Sequence, residues 1–171
     1  MRFGFHSVYA LVFLLCTTVS VQAAPKLLPP ETTAAPAGTE AVLATGLTDG
    51  DTRVGTLEAR LVKAIRDGDR LTVTVRFKPV KDLSKDESRD YETFYSSAMS
   101  ENEWKQNFYL ISGNKKYLIL KDSDEKWLAP RELGLRGGTG SWSAIFPAPP
   151  AGQKATLHMS HVEPIGPFIV P

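Results

Sequence analysis

Leu71, Val73, Val75 and Phe77 alternate with Thr72, Thr74, Arg76 and Lys78. A period of two gives a strand with one apolar and one polar face. The preceding stretch, residues 57–66, carries Leu61, Val62 and Ile65, and Arg66-Asp67-Gly68-Asp69 separates the two. Asp-Gly supplies the positive φ angles of a tight turn, so these segments form a hairpin. Tyr91, Phe94, Tyr95 and Ala98 sit at helical spacing, but Tyr, Thr and Phe favour strands and no cap precedes them. Residues 91–98 are therefore read as a strand. Ser100-Glu101-Asn102-Glu103 has the form of a capping box that opens a helical turn.

Further along, residues 107–111 and 116–121 flank Ser112-Gly113-Asn114-Lys115 as a second hairpin. Residues 122–125 make a turn, 126–128 a short strand and 131–140 a loop. Trp142, Ala144 and Phe146 line one face of a strand. Pro147-Ala148-Pro149-Pro150-Ala151-Gly152 cannot continue a ladder and must cross between strands. Ala155, Leu157 and Met159 alternate with polar residues in another strand, and residues 164–171 add an edge. Seven to eight short strands separated by turn signals predict an all-β sandwich or barrel.

The first 23 residues read differently. Arg2 gives a positive head, an apolar run extends from Val8 to Cys16, and Val21-Gln22-Ala23 places small residues where a signal peptidase cuts. This is the pattern of a secretory signal peptide, and the run is shorter than the ~20 residues that span a bilayer. Residues 24–55, rich in Ala, Pro, Thr and Gly, are expected to form a flexible linker with too little apolar surface to order itself. The folded domain is expected to occupy residues 56–171.

Charge and cysteine content narrow the partners. The chain has 20 Lys+Arg and 19 Asp+Glu; cleavage after Ala23 removes Arg2 alone and balances them. A balanced domain lacks the clustered basic face of a nucleic-acid binder and the polybasic segment of an electrostatic membrane anchor. The single cysteine, Cys16, leaves with the signal, so the mature chain forms no disulfide and offers no thiolate.

The order of motifs is informative as a whole. Leu71-Thr72-Val73-Thr74-Val75-Arg76-Phe77 is followed by Phe108-Tyr109-Leu110, Lys115-Lys116-Tyr117 and Lys121-Asp122-Ser123-Asp124. Phe146-Pro147-Ala148-Pro149-Pro150-Ala151-Gly152 and Val162-Glu163-Pro164 complete the series. Over residues 56–170 the chain resembles exported bacterial immunoglobulin-like domains of unknown function. The resemblance implies an immunoglobulin-like β-sandwich and assigns no catalytic residue, cofactor or ligand. The long connection from Pro79 to Asp90 departs from that pattern.

Motifs that carry chemistry are sparse. His158 and His161 are three apart, which on a strand sends them to opposite faces, and no third metal ligand accompanies them. Asp122-Ser123-Asp124-Glu125 begins like a calcium loop but has Trp127 where the turn glycine belongs. Gly137-Gly138-Thr139-Gly140 has no following lysine and precedes a strand, so it is no phosphate cradle. No nucleophile elbow occurs. Trp142 belongs to the core, whereas Tyr91, Tyr95, Trp104 and Trp127 are the candidate binding patch if they share an exposed surface. The reading is an exported, periplasmic or secreted, non-catalytic binding or structural module. It needs no cofactor or metal, binds no nucleic acid, does not insert in the membrane after cleavage, and has another envelope or extracellular protein as its candidate partner. An inhibitor or adaptor presenting residues 131–140, and a hydrolase using His158, His161 or Ser141, are the alternatives.

Overall fold

The computed structural model describes residues 41–49, 52–95 and 98–171. The expected signal peptide lies outside them, as does most of the expected linker. Among the described residues ten strands pair antiparallel throughout, with one α-helix and one single-turn 3-10 helix, Glu87–Arg89, between them. The expectation of a mostly β chain therefore holds.

The central hairpin joins β2 (Leu57–Asp67) to β3 (Arg70–Pro79). Its loop is Gly68-Asp69, with Gly68 at φ 57°; glycine takes the first central position, where a side chain would be strained. β1 (Ala44–Leu47) pairs with β2, and β8 (Gly140–Pro147) pairs with β3, in the order β1-β2-β3-β8. A second sheet runs β10-β9-β5-β6, from β5 (Tyr109–Ser112), β6 (Lys115–Leu118), β9 (Lys154–Met159) and β10 (Val162–Ile169). β10 carries Pro164 and Pro167 and sits at the end of its sheet, where a missing N–H is tolerated. A two-stranded ribbon pairs β4 (Tyr91–Tyr95) with β7 (Leu133–Arg136).

Some sheet edges are not left bare. Thr48 bridges Val162, and the Asp49 N–H donates to His161 O at 3.2 Å, joining the β1 and β10 ends. At the other side Leu120 N donates to Ile145 O on β8, and Ile145 N donates to Leu128 O, at 2.8 and 3.0 Å. These contacts cover part of the β1, β8 and β10 edges, the groups that would otherwise template aggregation. The β1–β10 approach requires a residue without Cβ: one added at Gly46 would stand 2.5 Å from Glu163 O.

The interior follows the alternation. Leu71, Val73, Val75 and Phe77 from β3 meet Trp142, Ala144 and Phe146 from β8 and Leu110, Ala155 and Leu157 from the second sheet, all fully buried. Each large side chain contributes about 1.5–3 kcal/mol by leaving water.

In β2 the phase changes midway. Leu57, Ala59 and Leu61 are buried, but beyond them the more covered positions are Ala64 and Arg66, and Lys63 and Ile65 are exposed. The ladder explains this. Leu61 pairs with Val75 and Lys63 with Thr74, so Val62 is an extra residue with no partner. A β-bulge of this kind advances one strand by one position and so turns the odd-numbered positions outward.

Several expectations need correction. The ordered chain begins before Thr56: β1 falls within residues 24–55, and Val54 is buried. The supposed linker contributes a strand because Gly46 and Thr48 fit the closing edge, which composition does not reveal. Residues 131–140 are not a loop, since Leu133 and Leu135 are buried in β7. Residues 126–128 make one bridge, Lys121 with Trp127, instead of a strand. The capping box is as expected: Ser100 caps α1 (Glu101–Asn107) through Glu103 N, and the Glu103 side chain accepts from Ser100 N. Residues 91–95 are strand.

Deleting Val62 should leave Leu61–Val75 and Lys63–Thr74 as consecutive pairs of an unbroken ladder and cost about 1 kcal/mol or less in urea unfolding, whereas deleting Ala59, which has a ladder partner, should turn the Leu57 end of β2 inside out and cost at least about 3 kcal/mol. Equal losses for the two deletions would contradict the bulge. A chain starting at residue 56 should unfold at markedly lower urea than one starting at residue 41, because it exposes the β2 and β10 edges.

Candidate functional site

Three of the four aromatics singled out above do meet, but inside the fold. Tyr95 is 6% exposed and Trp104 2%, Trp127 is half-buried, and Tyr91 is 58% exposed and stands apart. Tyr91 and Tyr95 would share a face on a regular strand. A register shift between Thr93 and Tyr95 breaks that relation, leaving the Tyr91 ring against Gly134 of β7, where any side chain would collide with it. Tyr95 turns in: its hydroxyl donates to Pro130 O at 2.8 Å, and burial raises its pKa. The exposed four-residue patch is therefore not formed.

What forms instead is an aromatic column. Trp127 stacks on Trp104 (centroids 6.2 Å, 24°), Trp104 lies tilted against Phe108 (4.7 Å, 33°) and Phe108 tilted against Trp142 (5.9 Å, 30°). Tyr95 meets Trp104 edge-on at 5.8 Å. Such pairs add about 0.5–1.5 kcal/mol each beyond burial. Ions frame the outer end. Glu101 Oε1 receives Lys105 Nζ at 2.8 Å and Lys121 Nζ at 3.1 Å, and Lys121 Nζ also lies 4.6 Å from the Trp127 ring centroid and 3.3 Å from Glu125 Oε2. Lys105 and then Lys121 hold the Glu101 carboxyl below its usual range, while Glu101 raises Lys121. A hollow of about 180 Å³ opens beside Trp104 and Trp127. With lysine over its ring and Trp104 stacked upon it, Trp127 serves chiefly as the cap of the column.

The histidines take separate partners. His158 stacks on Tyr109 (4.5 Å, 11°), whose ring also carries Lys116 Nζ at 3.7 Å; burial and then Lys116 lower the His158 pKa. His161, at φ 58° in the β9–β10 turn, holds Asp49 Oδ2 at 3.0 Å through Nδ1. Among the described residues no three His, Cys, Asp or Glu side chains gather as metal ligands would. The residues 122–125 turn is closed by its own chain: Asp122 Oδ1 accepts from Asp124 N and Lys126 N, both at 2.9 Å.

The arrangement with the clearest binding chemistry was not singled out from the sequence. On the outer face of the first sheet, Arg60 of β2 is directly opposite Arg76 of β3, and Glu58 opposite Lys78. Beside them lies a hollow of about 350 Å³ lined by Val42, Arg60, Val62, Arg76, Lys78 and Thr139, with Phe77 behind. Three cations and no carboxylate are among its described lining residues. Like charges directly opposite in a sheet are destabilising. Glu58 offsets this in part by accepting Arg60 Nε and Nη2 at 2.7 and 2.5 Å, which uses two of that guanidinium's five donors. The volume lies at the small end of ligand sites, and the mixture of aliphatic wall and converging charge is typical of them. Alternation alone could have flagged Arg60, Arg76 and Lys78 as outward, but an unbroken count from the Gly68 turn pairs Arg60 with Phe77. The bulge is what sets the two arginines together.

No protein-family model, curated protein or solved structure matches this chain.

Protonating Glu101 should loosen the frame around Trp127. Its pKa is depressed in the fold, so the ion pairs persist above the ordinary carboxylate range of about 4.3 and are lost as pH falls below it. Trp104 and Trp142 are buried, so the solvent-sensitive part of the emission comes from Trp127. A shift of the emission maximum in acid is expected in the wild type and absent in Glu101→Gln; an identical shift in both would refute the assignment.

Proposed function

We propose that this chain is a non-catalytic binding module of the bacterial envelope or extracellular space, exported and then folded as an immunoglobulin-like sandwich. The observation that carries the binding role is the hollow ringed by Arg60, Arg76 and Lys78. Two guanidiniums directly opposite each other in a sheet repel, and departures from local rules concentrate at functional sites. Export is supported by Arg2, the apolar run from Val8 to Cys16 and the small residues at Val21 and Ala23. Among the described residues no helix is long and apolar enough to cross a membrane. The sandwich reading is supported by two four-stranded antiparallel sheets sharing one core around Trp142. The non-catalytic reading rests on the missing nucleophile motifs and on His158 and His161 facing different partners.

Charge reversal tests it. In a retention assay on immobilised bacterial envelope extract, Arg60→Glu with Arg76→Glu should abolish retention of the chain while its unfolding midpoint stays within a few degrees. Undiminished retention of a folded double variant would remove the hollow from the function.

A further inference from the structure

We infer that the free edge of β6 takes an acidic, extended segment of a partner polypeptide as an added antiparallel strand. This surface shares no lining residue with the Arg60–Arg76–Lys78 hollow and does not rest on it. β6 is the last strand of the second sheet and pairs with β5 alone. The loop between them has two residues, Gly113 and Asn114, so Ser112 and Lys115 are its closing hydrogen-bonded pair. Bonded and non-bonded pairs then alternate along the ladder. Lys116, opposite Ile111, and Leu118, opposite Tyr109, therefore turn their N–H and C=O groups away from β5. None of these four groups has a partner among the described residues.

Two residues further on, the edge is covered. Leu120 N donates to Ile145 O, and Leu120 O accepts from Leu128 N at 2.7 Å. β8 reaches the edge there and ends at Pro147, which has no N–H to extend the cover. What remains beside β6 is a groove of about 560 Å³. Residues 116–121 line it consecutively, so it follows the edge of the strand instead of one face. Trp127 and Pro147 give it an apolar wall. An extended segment lying in the groove satisfies the four backbone groups, antiparallel like every other pair of this sheet. Charge selects the segment. Lys105 and Lys121 are engaged with Glu101 and Glu125. Lys115 and Lys116 have no carboxylate partner among the described residues, and Lys116 Nζ rests over the Tyr109 ring at 3.7 Å. Lysines on an edge repel a second copy of the same strand, whereas opposite charges across a ladder attract. The incoming strand is favoured with acids opposite Lys115 and Lys116 and β-branched residues opposite Tyr117 and Leu118.

The test is amide-resolved hydrogen exchange and NMR titration of the full chain with the blocked peptide acetyl-Thr-Val-Val-Glu-Glu-Thr-amide. Without peptide, the Lys116 and Leu118 amides should exchange much faster than that of Tyr117, which donates to β5. Peptide should slow both at least about tenfold. A peptide with lysine for glutamate should bind at least about tenfold weaker, because two cross-strand charge pairs change sign. So should one N-methylated at the residues facing Lys116 and Leu118, which loses two hydrogen bonds. Lys116→Pro removes an outward N–H and no bond to β5, and should weaken the parent peptide about tenfold. If that variant unfolds, Lys115→Gln with Lys116→Gln should weaken it at low salt. Several results overturn the inference: no binding at millimolar peptide, Lys116 and Leu118 amides protected from the start, or lysine or N-methylated peptides binding as tightly as the parent. Full affinity in the folded variants does so too. Protection that grows with chain concentration alone assigns the edge to a second copy and overturns the peptide.

Discussion

A pleated strand shows its apolar side chains to one face only while its register holds, and in this protein one unpaired residue resets that register. Val62 stands between Leu61, paired with Val75, and Lys63, paired with Thr74. On the turn side of it Lys63 and Ile65 face water; on the other side Leu57, Ala59 and Leu61 enter the core. Were Val62 paired in turn like its neighbours, one half of β2 would be inside out. The core of the first sheet and the chemistry of its outer surface therefore have a common origin, since the shift that buries Leu61 also brings Arg60 opposite Arg76.

The second organising feature is the column from Trp142 through Phe108 and Trp104 to Trp127. It ties β8 in the first sheet to α1 and to the segment after β6. Its outer end is held by charge: Glu101 in the first turn of α1 gathers Lys105 from its own helix and Lys121 from the bridge to Trp127. An exposed ion pair contributes little singly, but here one carboxylate fixes both the helix and the lysine over the indole. Rings that look like a recognition surface in the sequence become the means of closing the domain.

The seams at Thr48–Val162 and at Ile145 cover part of the β1, β8 and β10 edges. The outer face of the first sheet carries Arg60, Arg76 and Lys78 beside its hollow.

Elements with strong local physics were legible in the sequence: the alternation of β3, the Gly68 turn, the Gly113 turn, the Ser100 capping box, and the burial of Trp142, Ala144 and Phe146. Each depends on neighbours within a few residues. The chain by itself thus determined an all-β, antiparallel protein and which face of its clearest strands is apolar. Tertiary structure alone decided that β1 belongs to the fold, that residues 133–136 are a strand, that Tyr91 and Tyr95 part company, and that two arginines frame a hollow. All four turn on pairing between distant segments and the last two also on single-residue shifts of register, and a shift of one position reverses a strand's faces without altering a letter of the pattern from which it is read.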